Sequence, residues 1–360
     1  MIPGETGYSV AIVGASSLLG RELRAVIRER RFPIARLMEL EAGVNADAEP
    51  DLPVLDIEKD EAAEFLVSQA SISGIDLAFL TAPTDPAQAL LASGLPPLVI
   101  DLDGGLAEPE REPPQIAFIE SGDGSGAKPV ALGRPDAGTR IVAAAHPVTI
   151  IISALLLRLA SKAQISTAVA QVLSPASHLG PRAIEELQKQ TVNLLSFQKI
   201  PRGIFGSQLA FNLLPRLAGS GAGPLEHLEK RVRGELGPSL SGRAPLPALR
   251  VLQSAVFYST SVSLYVETAR PLTPAQAAHA LAGEPFRVSR ASDRPPSQVE
   301  VTGSAEILLD SITADANHPN GLWIWAVADN LRLAATNAVL IAEKLLPSDR
   351  APQATRERVH

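Results

Sequence analysis

The order of apolar and polar residues near the N-terminus predicts a strand followed by a helix. The run 8–13 is short, apolar and β-branched, and it ends at Gly14, which is typical of a buried strand. Over 19–27, apolar residues recur at offsets of four, seven and eight, as on one face of an amphipathic helix. Pro33 then ends the helical pattern, because proline is excluded from a helix interior.

Three more short apolar runs, at 75–80, 98–101 and 141–145, predict further buried strands. A helix is predicted between the strands at 75–80 and 98–101, because the segment 84–86, Thr-Asp-Pro, offers a capping residue and a proline suited to a first helical turn. Strands that alternate with helices indicate parallel βαβ units. We therefore predict an α/β domain over 1–146 with a Rossmann-type, doubly wound parallel sheet.

After residue 146 the pattern indicates a second, α+β domain. The predicted elements are helices at 148–159 and 183–195, a loop at 219–224, strands at 251–258 and 261–269, and a helix at 331–345. The predicted boundaries are 147–328 for this domain and 329–346 for a C-terminal helix that packs back on the first domain. A mobile tail over 347–360 completes the chain.

Composition narrows the class of protein. With 46% hydrophobic and 20% charged residues, the 360-residue chain can form buried cores, which excludes disorder throughout. A net charge of −7 and 4% aromatic residues argue against a nucleic-acid partner. The longest apolar run, 148–157, is too short to span a bilayer, and the first residues lack the basic start of a secretory signal. These features predict a cytoplasmic protein with no membrane partner.

The chain contains no cysteine, which excludes disulfides, cysteine-ligated metal centres and a thiol nucleophile. Its six histidines lack the close spacing of metal-binding motifs, so we expect no metal site.

The glycine-bearing loop after the first strand is the first chemical signal. A strand, a loop and a helix start bring backbone N–H groups and the positive end of a helix to where a pyrophosphate can bind. The candidate cofactor-binding residues are Gly14, Ser16, Ser17, Leu18 and Gly20. Ser17 occupies the position of the usual middle glycine. A tight turn without a ligand is the alternative.

Four separated segments resemble the aspartate-semialdehyde dehydrogenase family. They are VAIVGASSLLG and its continuation at 10–33, GSQLAFNLLP at 206–215, QSAVFY with SVSLYVE at 253–267, and WIWAVADNLR at 323–332 with the helix that closes the family's fold. The resemblance runs in order from about residue 8 to 346. It is most similar to the branch called Usg, or pseudo-aspartate-semialdehyde dehydrogenase, which shares the fold and lacks the nucleophile.

This resemblance implies a fold, a cofactor and a partner. The family belongs to amino-acid biosynthesis and reductively dephosphorylates an acyl phosphate with NADPH. It uses a cysteine thiolate, a histidine base and an arginine that holds the substrate carboxylate. The resemblance also implies that Asn330 lies at the dinucleotide site and that the second domains pair in a homodimer. The apolar and aromatic residues of 251–269, among them Tyr265, agree with such pairing.

The resemblance places other residues at the family's catalytic and substrate positions. Pro147 occupies the position of the cysteine, and Thr260 that of the histidine. Ser174 replaces a glutamine, and Gln253 replaces the substrate arginine. The site for the parent reaction is therefore expected to be missing.

Several nearby residues allow two interpretations. Glu229 matches a substrate-side glutamate, and Arg231 replaces a lysine. His146 could act as a base for Thr149 or Ser153, but a partly buried, hydrogen-bonded histidine is the favoured interpretation. The residues 177–178, Ser-His, are expected to be a cap and a surface residue.

Cofactor choice depends on the second strand. The family has an arginine-bearing segment there that binds the 2′-phosphate of NADPH, whereas this chain has Glu39 and Glu41. An acidic side chain repels that phosphate and can accept from a free ribose hydroxyl, so NAD is favoured over NADP. Alternatively, both glutamates are simply solvated. In the next loop, 83–84 (Pro-Thr) replaces a glycine pair and would narrow the nicotinamide side.

Three functions remain open. The favoured one is a non-catalytic homologue with a residual NAD(P) site. The second is an active NAD(P)-dependent oxidoreductase that acts on an aldehyde or related carbonyl without a cysteine. The third is a sensor that binds a dinucleotide without turning it over.

Overall fold

A computed structural model describes residues 7–40, 74–81, 96–104, 116, 140–217, 223–290 and 293–346. Its first sheet is parallel and has the order β2-β1-β3-β4-β5. The strands are β1 (Tyr8–Val13), β2 (Ile34–Leu40), β3 (Leu77–Leu80), β4 (Leu98–Asp101) and β5 (Arg140–Ala143). This order reverses between β1 and β3, which confirms the doubly wound prediction.

Helices cover this sheet through apolar stripes. Helix α1 (Leu18–Glu29) buries Leu23, Val26 and Ile27, the stripe that the sequence predicts, and ends before Pro33. The last helix, α7 (Asn330–Leu345), returns from the far end of the chain and shares a core cluster with α1 and the sheet. The residues that α7 adds to this cluster include Ala335, Ala338 and Ala342, whose small side chains let α7 and α1 approach closely.

The second sheet has seven strands and mixed direction, in the order β10-β11-β12-β9-β6-β8-β7 within the described residues. The strands are β6 (Ile165–Ser174), β7 (Leu213–Leu214), β8 (Ala248–Ser254), β9 (Thr260–Thr268), β10 (Phe286–Val288), β11 (Ile307–Ala314) and β12 (Gly321–Ala328). This sheet, with the helices packed on it, confirms the predicted α+β character of the second half of the chain.

Four helices accompany the second sheet. They are α2 (Pro147–Ala160), α3 (Pro181–Leu195), α4 (Pro224–Leu240) and α5 (Pro274–Leu281), and a short α6 (Gln298–Val301) lies near β12. Almost all of α2 is buried, as its continuous apolar run predicts, so it forms the centre of the largest core cluster.

The helix predicted at 331–345 is confirmed, because α7 runs from Asn330 to Leu345 and Asp329 caps it. The residues before it form β12, which the sequence did not predict, so only the end of the segment 323–332 belongs to the closing helix. Alternation of buried and more exposed residues, not a helical period, governs β12. The sequence did not predict helix α4. This helix begins at Pro224, the last residue of the loop predicted at 219–224.

The helix predicted after residue 84, most of the loop at 219–224 and the tail 347–360 lie outside the described residues. The domain boundaries at 146/147 and 328/329 stay a prediction. Among the described helices, none has both the length and the apolar character needed to cross a membrane.

Candidate functional site

The β1–α1 loop depends on two glycines. Gly14 adopts φ +84°, in the region that favours glycine. A Cβ on Gly20 would lie 2.3 Å from the carbonyl oxygen of Gly14, so the helix can approach the loop only without a side chain there. Ser17 caps α1, and its Oγ accepts a hydrogen bond from the Gly20 N–H at 2.9 Å. The serine at the middle-glycine position thus has a capping role.

Thr81 fixes this loop from the neighbouring strand. Its Oγ1 lies 2.9 Å from the carbonyl oxygens of both Val13 and Gly14, and 3.2 Å from Ser17 Oγ. Because β1 and β3 flank the point where the strand order reverses, these contacts lie where doubly wound sheets bind ligands. Sequence reasoning missed Thr81, although it directly follows a predicted strand.

A cleft of about 370 Å³ opens beside the loop. It is lined by Ser17, Leu18, Leu19, Thr81, Leu102, Asp103, Ala144, Ala145, His146, Pro147, Ser177, His178, Leu179, Gly180, Pro181, Arg231, Asn330, Leu331 and Ala334. The N-terminal ends of α1, α2 and α7 therefore meet at one cavity. Of the candidate cofactor residues, Ser17, Leu18 and Asn330 line it, whereas Gly14, Ser16 and Gly20 support or flank it.

A buried carboxylate organises the inner end of the cleft. Glu235 Oε2 accepts from the main-chain N–H of His146 at 2.8 Å and from the hydroxyl of Thr149 at 2.6 Å. Its Oε1 accepts from Arg231 Nε at 2.8 Å. Arg231 also donates to the main-chain carbonyl of Leu102 at 3.1 Å and to that of Asp103. Both charges of the Arg231–Glu235 pair are thus matched within the chain.

Two imidazoles face each other in this cleft. The rings of His146 and His178 are 5.1 Å apart at 84°, an edge-to-face contact. Burial, the neighbouring His178 and Arg231 hold the pKa of His146 well below 6.5. Burial and Arg231 lower the pKa of His178 to about 4. Both rings are therefore neutral at pH 7.

These contacts favour one interpretation of the histidines over the other. His146 is 7% exposed and hydrogen-bonded, and the hydroxyl of Thr149 donates to Glu235. Ser153 Oγ is buried and has no hydrogen bond among the described residues. His178, expected at the surface, is instead half-buried in the cleft.

The four residues that the resemblance predicts at the family's catalytic and substrate positions are all buried. Pro147 is the first residue of α2 and lines the cleft. Ser174 and Gln253 are register partners on β6 and β8, and Gln253 Nε2 donates to the Ser174 carbonyl at 2.9 Å. Thr260 begins β9 and is 3% exposed. Ser174, Gln253 and Thr260 are absent from the cleft lining.

Asn330 links the cleft to the second sheet. Its Oδ1 accepts from Ser177 Oγ at 3.2 Å and from the main-chain N–H of Ser259 at 3.1 Å. Asn330 is 6% exposed, and its side-chain oxygen links the segments that carry Ser177 and Ser259 at the cleft wall.

At the end of β2, Glu39 pairs with Arg24 of α1, with Arg24 Nη1 3.2 Å from each carboxylate oxygen. The carboxylate is therefore not simply solvated. Glu41, the other acidic candidate, and the Pro-Thr pair at 83–84 lie outside the described residues.

The fold and the cleft define an architectural class. A doubly wound parallel sheet with a glycine loop is the arrangement that many dinucleotide-binding proteins use, and here it is combined with a second, mixed sheet. Residues 156–333 match the family model described as semialdehyde dehydrogenase, dimerisation domain.

Relatives match over almost the whole chain. A USG-1 protein homolog of Pseudomonas aeruginosa is 29% identical, with 94% of this chain and 97% of that protein covered. An aspartate-semialdehyde dehydrogenase of Aquifex aeolicus is 27% identical, covering 94% and 98%. The solved structure of a probable aspartate-semialdehyde dehydrogenase from Pseudomonas aeruginosa superposes with a TM-score of 0.79 at 26% identity, covering 94% of this chain and 98% of that one. The chain is thus similar to the aspartate-semialdehyde dehydrogenase family in sequence and fold over almost its whole length.

That family is NAD(P)-dependent. The solved enzyme from Candida albicans, described as a structure with NADP, shares the fold with a TM-score of 0.59 at 15% identity, covering 94% of this chain and 98% of that one. The dimerisation domain supports a homodimer.

The structure corrects one reason given for the homodimer. On β9, one face is apolar and belongs to the core, while the other face is mostly polar. The core face carries Val262, Leu264 and Val266, and the opposite face carries Ser261, Ser263, Tyr265 and Glu267. Tyr265 packs on Trp323 at 4.9 Å, and Trp323 is 41% exposed. Trp323, more than Tyr265, is therefore the apolar side chain that this face presents.

Proposed function

We propose that this protein is a non-catalytic homologue of aspartate-semialdehyde dehydrogenase that keeps a dinucleotide site in the cleft. The observation that carries this proposal is the absence of cysteine from the whole chain, because the parent reaction needs a thiolate to form a thioester. The burial of Gln253 and Thr260 agrees with it, since neither residue lines the cleft.

The glycine loop supports dinucleotide binding. The positive φ of Gly14 and the close approach of Gly20 to the Gly14 carbonyl place the N-terminus of α1 at the cleft. A pyrophosphate could bind to the main-chain N–H groups there. Ser16, Ser17 and Leu18 would hold the phosphates, and Asn330 would border the nicotinamide end. A bound dinucleotide would supply hydride-transfer chemistry.

NAD is the proposed dinucleotide, in preference to NADP. The Arg24–Glu39 ion pair leaves the arginine charge compensated, so it offers little attraction to a 2′-phosphate. We also place the protein in the cytoplasm as a homodimer, with no nucleic-acid, membrane or metal partner.

Calorimetry with NAD and NADP tests the cofactor proposal. Wild type should bind NAD more tightly, and Glu39→Gln should raise NADP affinity because it frees Arg24. Glu306→Gln, at an exposed pair far along the chain, is the matched control and should leave both affinities unchanged. Tighter NADP binding by wild type would overturn the preference. Phosphate-dependent NADP reduction with the semialdehyde, above a no-protein control, would overturn the non-catalytic assignment.

One observation favours a second function. Two neutral histidines lie in the cleft beside the glycine loop. They could transfer protons in an oxidoreductase that acts on an aldehyde or related carbonyl without a cysteine. Turnover of NAD(H) with a panel of aldehydes would support this function. Binding without turnover would instead identify a dinucleotide sensor.

A further inference from the structure

Asp103 brings a carboxylate to the cleft that the protein itself does not hydrogen-bond. Strand β4 ends at Asp101, and Asp103, two residues further on, is half-buried and lines the cleft. Its main-chain carbonyl accepts from Arg231, but among the described residues no group donates a hydrogen bond to its carboxylate. The carboxylate oxygens therefore keep their acceptor capacity for a ligand.

Carboxylates outnumber cations around Asp103. The nearby cation is the Arg231 guanidinium, which Glu235 already pairs with at 2.8 Å. The nearby Asp101 is 1% exposed and accepts from the Gly104 N–H at 2.8 Å. Among the described residues, the carboxylates of Asp101, Asp103 and Glu235 thus share one guanidinium. This part of the cleft is electronegative.

The two histidines of the cleft add no positive charge. His146 Nδ1 accepts a hydrogen bond from the Val148 N–H at 3.2 Å, and an imidazolium has no nitrogen that can accept. Burial and the charge of Arg231 lower the pKa of His178 to about 4. Both rings are neutral at pH 7, so they leave the charge of Asp103 uncompensated.

The surroundings of Asp103 make its ionised form costly. Burial raises the pKa of Asp103 above 3.8, Arg231 opposes this rise, and the neighbouring Asp101 adds to it. Burial and repulsion both disfavour the charged carboxylate. A cation bound beside Asp103 would offset both costs, whereas a neutral group would offset neither.

The strand order places Asp103 on the nicotinamide side of the proposed dinucleotide. In a doubly wound sheet, the pyrophosphate lies at the first loop and the adenosine ribose at the end of the second strand. Here these are the β1–α1 loop and the end of β2, which carries Glu39. Because the strands follow the order β2-β1-β3-β4, the other half of the dinucleotide extends toward β3 and β4, where Asp103 lies.

We propose that Asp103 makes the cleft selective for the oxidised dinucleotide, because the nicotinamide ring of NAD carries a positive charge that the ring of NADH lacks. The inference rests on the proposed function, since it concerns the same dinucleotide site. Asp103 is a specificity-determining residue here and takes part in no bond-making step. A protein with this preference responds to the ratio of NAD to NADH.

Calorimetry with NAD and NADH tests the preference. Wild type should bind NAD about tenfold more tightly than NADH. Asp103→Asn should bind both forms alike, through weaker NAD binding, and Asp103→Glu should keep most of the preference. Asp103→Ser gives the same test if the asparagine variant does not fold. ADP-ribose, which lacks the nicotinamide, should bind wild type and all variants equally.

Asp293→Asn is the matched control, because Asp293 is exposed, accepts from the Arg290 N–H and does not line the cleft. It should discriminate like wild type. Equal affinities of wild type for NAD and NADH, tighter binding of NADH, or a preference that survives in the asparagine or serine variant of Asp103 would overturn the proposal. Each of these results would leave dinucleotide binding itself intact.

Two free nicotinamides test the carboxylate without a dinucleotide. Nicotinamide methylated at its ring nitrogen is a cation, whereas nicotinamide is neutral and of nearly the same size. In carbon NMR of aspartate-labelled protein, the Asp103 carboxyl resonance is the one that Asp103→Asn removes. It should move with the cation and not with nicotinamide, and the opposite result, or no response to the cation, would overturn the proposal. A response to the cation without binding of either dinucleotide would count against the proposed function only.

Discussion

Arg231 Nε lies 2.8 Å from Glu235 Oε1, one turn along α4, and Arg231 lines the cleft. The Glu235 side chain is only 6% exposed, and that of Arg231 is 25% exposed. The cation at this position, which the resemblance likened to a substrate-side lysine, is therefore compensated by a carboxylate of the same chain. The same carboxylate also ties α4 to the start of α2.

Glu235→Gln should therefore destabilise the fold substantially. The change leaves Arg231 without its carboxylate and weakens the bonds to Thr149 and to the main chain of His146. We expect the free energy of unfolding to fall by about 3 kcal/mol, as when one partner of a buried pair is removed. Urea unfolding measures it. Glu306→Gln removes the same kind of contact from an exposed pair and should cost less than about 0.5 kcal/mol.

Gly20→Ala should damage the glycine loop. The added methyl group would meet the Gly14 carbonyl oxygen at 2.3 Å and the Ala15 carbonyl oxygen at 2.8 Å, and backbone atoms cannot move aside cheaply. We expect a loss of about 2 kcal/mol in stability and weaker NAD binding in calorimetry. Gly234→Ala, on an exposed position of α4 where a Cβ meets nothing within 4 Å, should instead stabilise by about 1 kcal/mol. Equal effects of the two substitutions would contradict this account.

The sequence predicted four of the five strands of the parallel sheet, because their residues are mostly apolar and buried, whereas the edge strand β2 is only partly buried and was not predicted from the pattern. The runs at 8–13 and 98–101 coincide with β1 and β4. Helix α4 was missed because Pro224 and Pro238 lie within it and its apolar stripe is weak. Strand β12 was not predicted, because the segment 323–332 was compared with the family's closing helix and its alternating pattern was not used.

The site was predictable only where its chemistry is local. The Ser17 cap and the two glycines lie within one loop, so spacing alone points to them. The Arg231–Glu235 pair follows an i,i+4 spacing, but only a predicted helix would have made that spacing meaningful. The contact of His146 with His178, and that of Asn330 with Ser177 and Ser259, join distant parts of the chain that no local pattern connects.

Ser259 should store backbone strain that glycine relieves. It is buried at φ +71°, where its N–H donates to Asn330 and its hydroxyl donates to the Gln298 carbonyl at 3.1 Å. Ser259→Ala keeps the strain and loses the hydroxyl bond, whereas Ser259→Gly loses both. We expect the glycine variant to be about 1 kcal/mol more stable than the alanine variant and close to wild type. Thermal unfolding of the three proteins decides it; an alanine variant as stable as the glycine variant would exclude strain.

Trp323 should contribute to the homodimer interface. Its side chain is 41% exposed on the second sheet, packs against the tilted ring of Tyr265 and lies within the matched dimerisation domain. Light scattering at low micromolar concentration should give twice the 37.9 kDa chain mass for wild type. Trp323→Glu should shift it toward one chain mass, because a buried unpaired carboxylate disfavours association.

Val299→Glu provides the control, since Val299 is 85% exposed on α6 and carries no ring contact. It should remain a dimer. A wild-type mass near one chain would contradict the homodimer itself, and a dimeric Trp323→Glu protein would move the interface elsewhere on the domain.

His178 should make stability fall as the solution is acidified. Burial and the charge of Arg231 lower its pKa to about 4, from 6.5 when unfolded. Between these values the unfolded chain binds a proton that the folded protein excludes, so stability is full above about pH 7 and declines toward pH 4. The difference in unfolding free energy between wild type and His178→Asn should therefore shrink by about 3 kcal/mol from pH 7.5 to 4. Urea unfolding at intervals across this range measures it, and a difference that stays constant would show that the ring titrates alike in both states.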